Sequence, residues 1–139
     1  MADTFSRAER SRIMAAVKSK DTTPELIVRR IVHRSGFRYR LPVKGLPGAP
    51  DLVFPRRRKI IIVNGCFWHM HGCGRCRIPA TKRAYWVAKL DKNRRRDRRQ
   101  RLELRRLGWK LLVVWECQTA ARRRKWLECR LREFLEDEG

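Results

Sequence analysis

The spacing of hydrophobic positions changes along the chain and marks out its elements. Between Ser6 and Lys18, Ala8, Ile13, Ala16 and Val17 form an approximate apolar stripe behind a serine that can cap it, which predicts a helix. Thr22 and Glu25 have the spacing of a capping box, and Pro24 suits a first turn. Leu26, Ile27, Arg30 and Ile31 carry this second helix towards Gly36. Phe37–Leu41 alternates apolar and basic residues and reads as a half-buried strand. The proline- and glycine-rich stretch from Pro42 to Pro50 is a loop. Asp51–Phe54 is a short strand stopped by Pro55, Arg56–Lys59 a turn, and Ile60–Val63 a β-branched strand expected to be buried on both faces. Gly65–Thr81 is irregular. A helix follows over about Lys82–Leu107 with Gly108 as its stop, then a buried strand over Trp109–Trp115 and a closing amphipathic helix over 119–137. Helices interleaved with strands predict an α/β fold: one domain over residues 1–139, a mixed β-sheet flanked by helices, with no internal repeat.

Composition narrows the partners. The chain has 139 residues, with 36 Lys and Arg against 14 Asp and Glu, for a net charge of +22. Hydrophobic residues make up 42%, enough for a folded core, so general disorder is excluded. The longest apolar runs, Ile13–Val17 and Leu111–Trp115, are far too short to span a bilayer. The first residues lack the apolar region of a secretory signal, so a cytoplasmic location is expected. A pI near 11.4 on a single domain points to a polyanion. The basic residues are interleaved with a globular pattern instead of forming a lipid-facing arm, which favours nucleic acid over membrane. Asp91–Arg101 has no apolar side chain and carries Arg94, Arg95, Arg96, Arg98, Arg99 and Arg101. Such a run is usually a solvated helix face. Here two aspartates cannot neutralise it, and phosphate contact is the better reading.

Two constellations carry chemistry. Between Gly65 and Cys76 lie Cys66, His69, His71, Cys73 and Cys76, thiolates and imidazoles in a glycine-punctuated loop that suit tetrahedral Zn²⁺. Cys66, His71 and Cys73 supply three ligands, and either Cys117 or Cys76 the fourth. Cys129, on the last helix, reads as an ordinary buried cysteine. His69 is left over and could act as a general base. Asp51, at the start of a strand with Glu25 able to approach it, could hold Mg²⁺, a hard cation that takes carboxylate and phosphate oxygens.

Leu46–Val53, Gly65–Cys73, Pro79–Thr81, Trp86, Lys92-Asn93, Arg96–Arg98 and Leu107–Cys117, with Arg10–Met14 and Lys18–Thr22, resemble the very-short-patch repair (Vsr) endonucleases in order and spacing. The resemblance covers about residues 6–117. It implies a restriction-endonuclease-like fold with a structural zinc site, and Mg²⁺-dependent nicking of duplex DNA 5′ to the thymine of a T:G mismatch. Such mismatches arise when 5-methylcytosine deaminates. By the resemblance, Asp51 and the Val63 backbone carbonyl bind Mg²⁺, His69 activates water, and Glu25 supports the hydrated metal. Cys66, His71, Cys73 and Cys117 hold zinc. Phe67, Trp68 and Trp86 match aromatics that wedge into the stack, with Met14 entering from the other groove. DNA contacts are expected along the basic helix at Lys89, Lys92, Asn93, Arg96, Arg98 and Arg99.

The chain departs from the family at Val63-Asn64, where members often have Thr-His. A backbone carbonyl is indifferent to the side chain at Val63. Asn64 replaces an imidazole with an amide that hydrogen-bonds but cannot take up a proton. The resemblance further implies a bacterial, nucleoid-associated monomer, with a mismatch-repair protein such as MutL as a possible partner. Two other functions fit the charge and the zinc loop: a zinc-stabilised DNA-binding protein without catalysis, and a restriction or defence nuclease on the same fold. Only Asp51, His69 and Glu25 separate an enzyme from a binding protein.

Overall fold

A computed structural model of the chain describes residues 22–41, 46–48, 50–66 and 78–137. The helix expected over Ser6–Lys18, and with it Met14, lies outside the described residues. So do Phe67, Trp68, His69, His71, Cys73 and Cys76.

Helix α1, Thr23–Arg34, begins as its capping pattern predicts: the Thr22 hydroxyl accepts the Glu25 N–H at 3.5 Å, and a proline occupies the first turn. Gly36, at φ +88°, takes the left-handed conformation that ends it. Three strands follow the expected order: β1 (Leu52–Phe54), β2 (Lys59–Asn64) and, after the long helix α2 (Arg83–Arg106), β3 (Lys110–Trp115). β2 is central, antiparallel to β1 and parallel to β3. A parallel pair requires a crossover, and α2 supplies it.

The register sorts side chains into two cores. Leu52, Ile61 and Leu112 stand in one row across the sheet, and Val53, Ile60 and Leu111 in the next. Because side chains alternate along a strand, these rows face opposite sides. The first row joins Phe54 and Val114 against Val28, Ile31 and Val32 of α1 and Leu127, Leu131 and Leu135 of the last helix, α3 (Arg124–Glu136). The three leucines of α3 recur every four residues and are wholly buried, worth roughly 2 kcal/mol each by transfer from water. The second row packs with Leu104 of α2 and Trp109. Helices therefore cover both faces of a mixed sheet.

The β1–β2 turn fastens this assembly at one end. Lys59 is only 3% exposed and sends its ammonium to the carbonyls of Phe134, Leu135 and Asp137 at the end of α3. Arg57 donates to the Leu135 carbonyl at 2.8 Å. Arg58 donates to the Leu107 carbonyl at the end of α2 at 2.7 Å and stacks on Trp109 at 4.4 Å. Carbonyls left over at helix C-termini, where the dipole is negative, thus receive cations.

Four expectations need correction. Phe37–Leu41 is not a strand: Arg40 alone bridges Val53, while Phe37 and Tyr39 lean on the first core, so the alternation reflects packing at the sheet edge. β2 and β3 are not buried throughout: Ile62, Val63, Leu111 and Val113 are half-buried, and among the described residues the face bearing Ile62 and Leu111 packs against a single helix. The closing helix starts at Arg124, not at residue 119, behind two 3-10 turns, Glu116–Thr119 and Ala121–Arg123. There the Gln118 side chain accepts the Trp115 N–H at 2.9 Å and Thr119 donates to the Glu116 carbonyl at 2.7 Å, local side-chain bonds that hold the chain in a turn. Cys129 is exposed, on the outer face of α3.

Candidate active site

The last paired rung between β1 and β2 is Leu52 with Ile61. Pro50 has no N–H to donate, so the backbone ladder is not continued before it. The Asp51 carboxylate supplies an acceptor there, not the missing donor: its Oδ2 accepts the Val63 N–H at 2.7 Å. Glu25, 3% exposed in the first turn of α1, turns inward beside it and shares a hydrogen bond with it. Arg29, one turn further on, places Nη2 3.3 Å from Glu25 Oε2. Two acids from separate elements therefore meet where β1 begins and β2 ends.

Burial pushes the Asp51 carboxyl up from 3.8 to about 7, because an ionised carboxylate away from water is penalised. The Val63 N–H pulls it down, the charge and hydrogen bond of Glu25 raise it again, and Arg29 lowers it slightly. A buried pair of like charges of this kind fits a cation. Mg²⁺ is commonly held by one or two carboxylates while keeping several waters, and Asp51 with Glu25 provides that set. Among the described residues, no group of three or more His, Cys, Asp or Glu gathers into a fuller cage.

Asn64, the last residue of β2, is 5% exposed and pairs in register with Trp115. The parallel pairing brings the two strand ends together, and with them Cys66 and Cys117, 51 residues apart in sequence. The Cys117 N–H donates to Cys66 Sγ at 3.4 Å. Neither forms a disulfide, and Cys66 is fully buried. The expected ligands His71 and Cys73 lie outside the described residues, as does the rival Cys76.

Helix α2 turns Trp86, Leu90, Asn93, Asp97, Gln100 and Leu104 towards the body. Lys92, Arg96, Arg98 and Arg99 are exposed, Lys89 and Asn93 half-buried, and Trp86 is 6% exposed. Tyr85 is 53% exposed, edge-on to Trp86 at 5.3 Å and beneath the Lys89 ammonium at 5.9 Å.

The structure adds residues that the motifs did not single out. Arg29 was signalled only by its i+4 spacing from Glu25. Glu116, whose Oε1 accepts the Cys66 N–H at 3.4 Å, was signalled only by standing beside Cys117.

Over residues 2–75 the chain matches the family model described as DNA mismatch endonuclease Vsr. It is 39% identical over 142 residues to the DNA mismatch endonuclease Vsr of Escherichia coli K12, an alignment spanning 100% of this chain and 91% of that protein. The chain belongs to the Vsr family. It is accordingly a DNA endonuclease, a hydrolase of phosphodiester bonds. Other relatives include the type II nicking enzyme V.XorIIP of Xanthomonas oryzae pv. oryzae, 44% identical over 136 residues and 98% of each chain. The type II nicking enzyme V.NmeAIP of Neisseria meningitidis is 39% identical over 118 residues, 85% of this chain and 84% of that one. Among the described residues, no helix is long and apolar enough to cross a membrane.

Proposed function

We propose that this Vsr-family chain nicks one strand of duplex DNA 5′ to the thymine of a T:G mismatch, using Mg²⁺. The observation that carries the reading is the buried meeting of Asp51 and Glu25, bonded to the end of β2, in a chain of net charge +22. A protein that only bound DNA would gain nothing from two enclosed carboxylates facing a polyanion. Bound by Asp51 and the Val63 carbonyl, with Glu25 on its hydration shell, Mg²⁺ would stabilise charge building on the phosphate oxygens. His69 takes the proton of the attacking water. Asn64 orients water or phosphate by hydrogen bonding and leaves the proton to His69.

The reading extends outward from this centre. Cys66, His71, Cys73 and Cys117 hold a structural zinc that pins the loop after β2 to the end of β3. Phe67 and Trp68 wedge into the stack at a wobble pair, which opens more cheaply than a normal pair, and Met14 enters from the opposite groove. Trp86, only 6% exposed, is too enclosed to join them without rearrangement of its surroundings. Residues 1–139 form one restriction-endonuclease-like domain. A duplex substrate places its work at the bacterial nucleoid, with MutL as a candidate partner. The test is incubation with Mg²⁺ and end-labelled duplexes carrying T:G, T:A or C:G at one position. Nicking confined to T:G is the expected result. Cutting of all three would favour a restriction or defence nuclease, and binding without cutting a DNA-binding protein.

A further inference from the structure

Arg29 is enclosed beside the two acids, its side chain 12% exposed against 4% for Glu25, with Nη2 3.3 Å from Oε2. An i,i+4 pair of this kind on a solvated helix contributes little, and enclosing a guanidinium costs hydration, so helix stability is a poor reason for its position. It is also an odd neighbour for a site that must attract a divalent cation, because it cancels one of the two carboxylate charges. Its geometry has two consequences. One Glu25 oxygen is engaged along α1, which leaves that carboxylate less free to chelate beside Asp51. With both acids ionised, the state in which a cation binds, the pair and its arginine carry one negative charge instead of two.

We propose that Arg29 is a positioning residue that tethers Glu25 out of direct metal contact and deliberately weakens divalent-cation binding, leaving Asp51 as the single direct carboxylate ligand. This rests on the metal reading of Asp51. Removing the guanidinium tightens cation binding and at the same time slows the reaction, because an untethered Glu25 no longer orders the hydration shell.

The experiment measures Mn²⁺ binding to the DNA-free full chain by electron paramagnetic resonance, for the unaltered protein, Arg29→Met, Arg29→Lys and Asp51→Asn. Single-turnover nicking at saturating Mg²⁺ is measured alongside. Arg29→Met should bind Mn²⁺ about threefold or more tightly, the scale of removing one partly screened charge, and nick about tenfold more slowly. Arg29→Lys, which keeps the charge, should restore the weaker binding. A purely structural role would move the unfolding temperature without tightening Mn²⁺. Equal or weaker Mn²⁺ binding in Arg29→Met, with Asp51→Asn impaired, overturns this inference alone. Mn²⁺ binding undiminished by Asp51→Asn overturns the metal reading beneath it. Should Arg29→Met lose its cooperative thermal transition, Arg29→Gln is judged by the same criteria.

Discussion

Asp51 does three things at once: it ends the β1 ladder, accepts the Val63 N–H and faces Glu25. Its raised pKa makes folding pH-dependent in a definite direction. Below 3.8 the folded and unfolded chains both hold the proton and burial costs nothing. As pH rises from there to about 7 the unfolded chain ionises first, so the folded state loses stability, and beyond about 7 the loss is complete. The urea midpoint of the metal-free protein should therefore fall across this window, the Asp51→Asn variant should lack that component, and Mg²⁺ should recover it. An equal fall in both proteins would assign it to another group. Asp51 and Glu25 were legible in the sequence because each sits at a punctuated position, one after a proline at a strand start and one at a helix cap. Arg29 was not. An i,i+4 ion pair looks the same in sequence whether solvated or enclosed, and only tertiary packing decides which.

At the scale of elements, the polar run of α2 is not one uniform surface. Tyr85, Lys89, Lys92 and Arg96 recur at intervals of four, three and four residues and share one flank, whereas Arg94 and Arg98 project from the other. If a single DNA backbone tracks the flank that begins at Tyr85, it meets the first set and cannot also meet Arg98, although the sequence groups Arg98 with Lys92 and Arg96 as a DNA contact. Lys92→Ala with Arg96→Ala should make the fall of log K with log[salt] shallower by about 0.9 per lost phosphate contact, and Arg94→Ala with Arg98→Ala by much less. Equal effects would mean that DNA does not follow one flank. The other basic cluster, Arg56–Lys59 with Lys110, lines a cavity of about 380 Å³ at the opposite end of β2 from Asp51. Its charge is largely taken up by the ends of α2 and α3 through Arg57, Arg58 and Lys59. Charge counting along the chain does not separate these two uses. Nor does alternation distinguish a strand from an edge segment, as Phe37–Leu41 illustrates, because the same spacing serves a single bridge with packed aromatics.

Across the whole molecule, the parallel pairing of β2 and β3 links the chemistry. It sets Asn64 opposite Trp115, which brings Cys66 beside Cys117 on the same end of the sheet as Asp51. Spacing left Cys117 and Cys76 as rivals for the fourth zinc ligand, since neither a crossover nor a register can be counted from residue intervals. If Cys117 is the ligand, Cys117→Ser should purify with little zinc by metal analysis while Cys76→Ser stays fully loaded, and the reverse pattern would move the ligand to Cys76. The broad architecture was readable because helix caps, breakers and β-branched runs agree with one another, while the site depends on contacts between distant segments. The central claim is that the carboxylate at the start of β1 drives cleavage. Single-turnover nicking of a T:G duplex, measured with binding for the unaltered chain and Asp51→Asn, tests it most directly. Asp51→Asn should bind the duplex as tightly or more tightly, having lost a negative charge near phosphate, and should not nick it. Nicking by Asp51→Asn at the unaltered rate would contradict it.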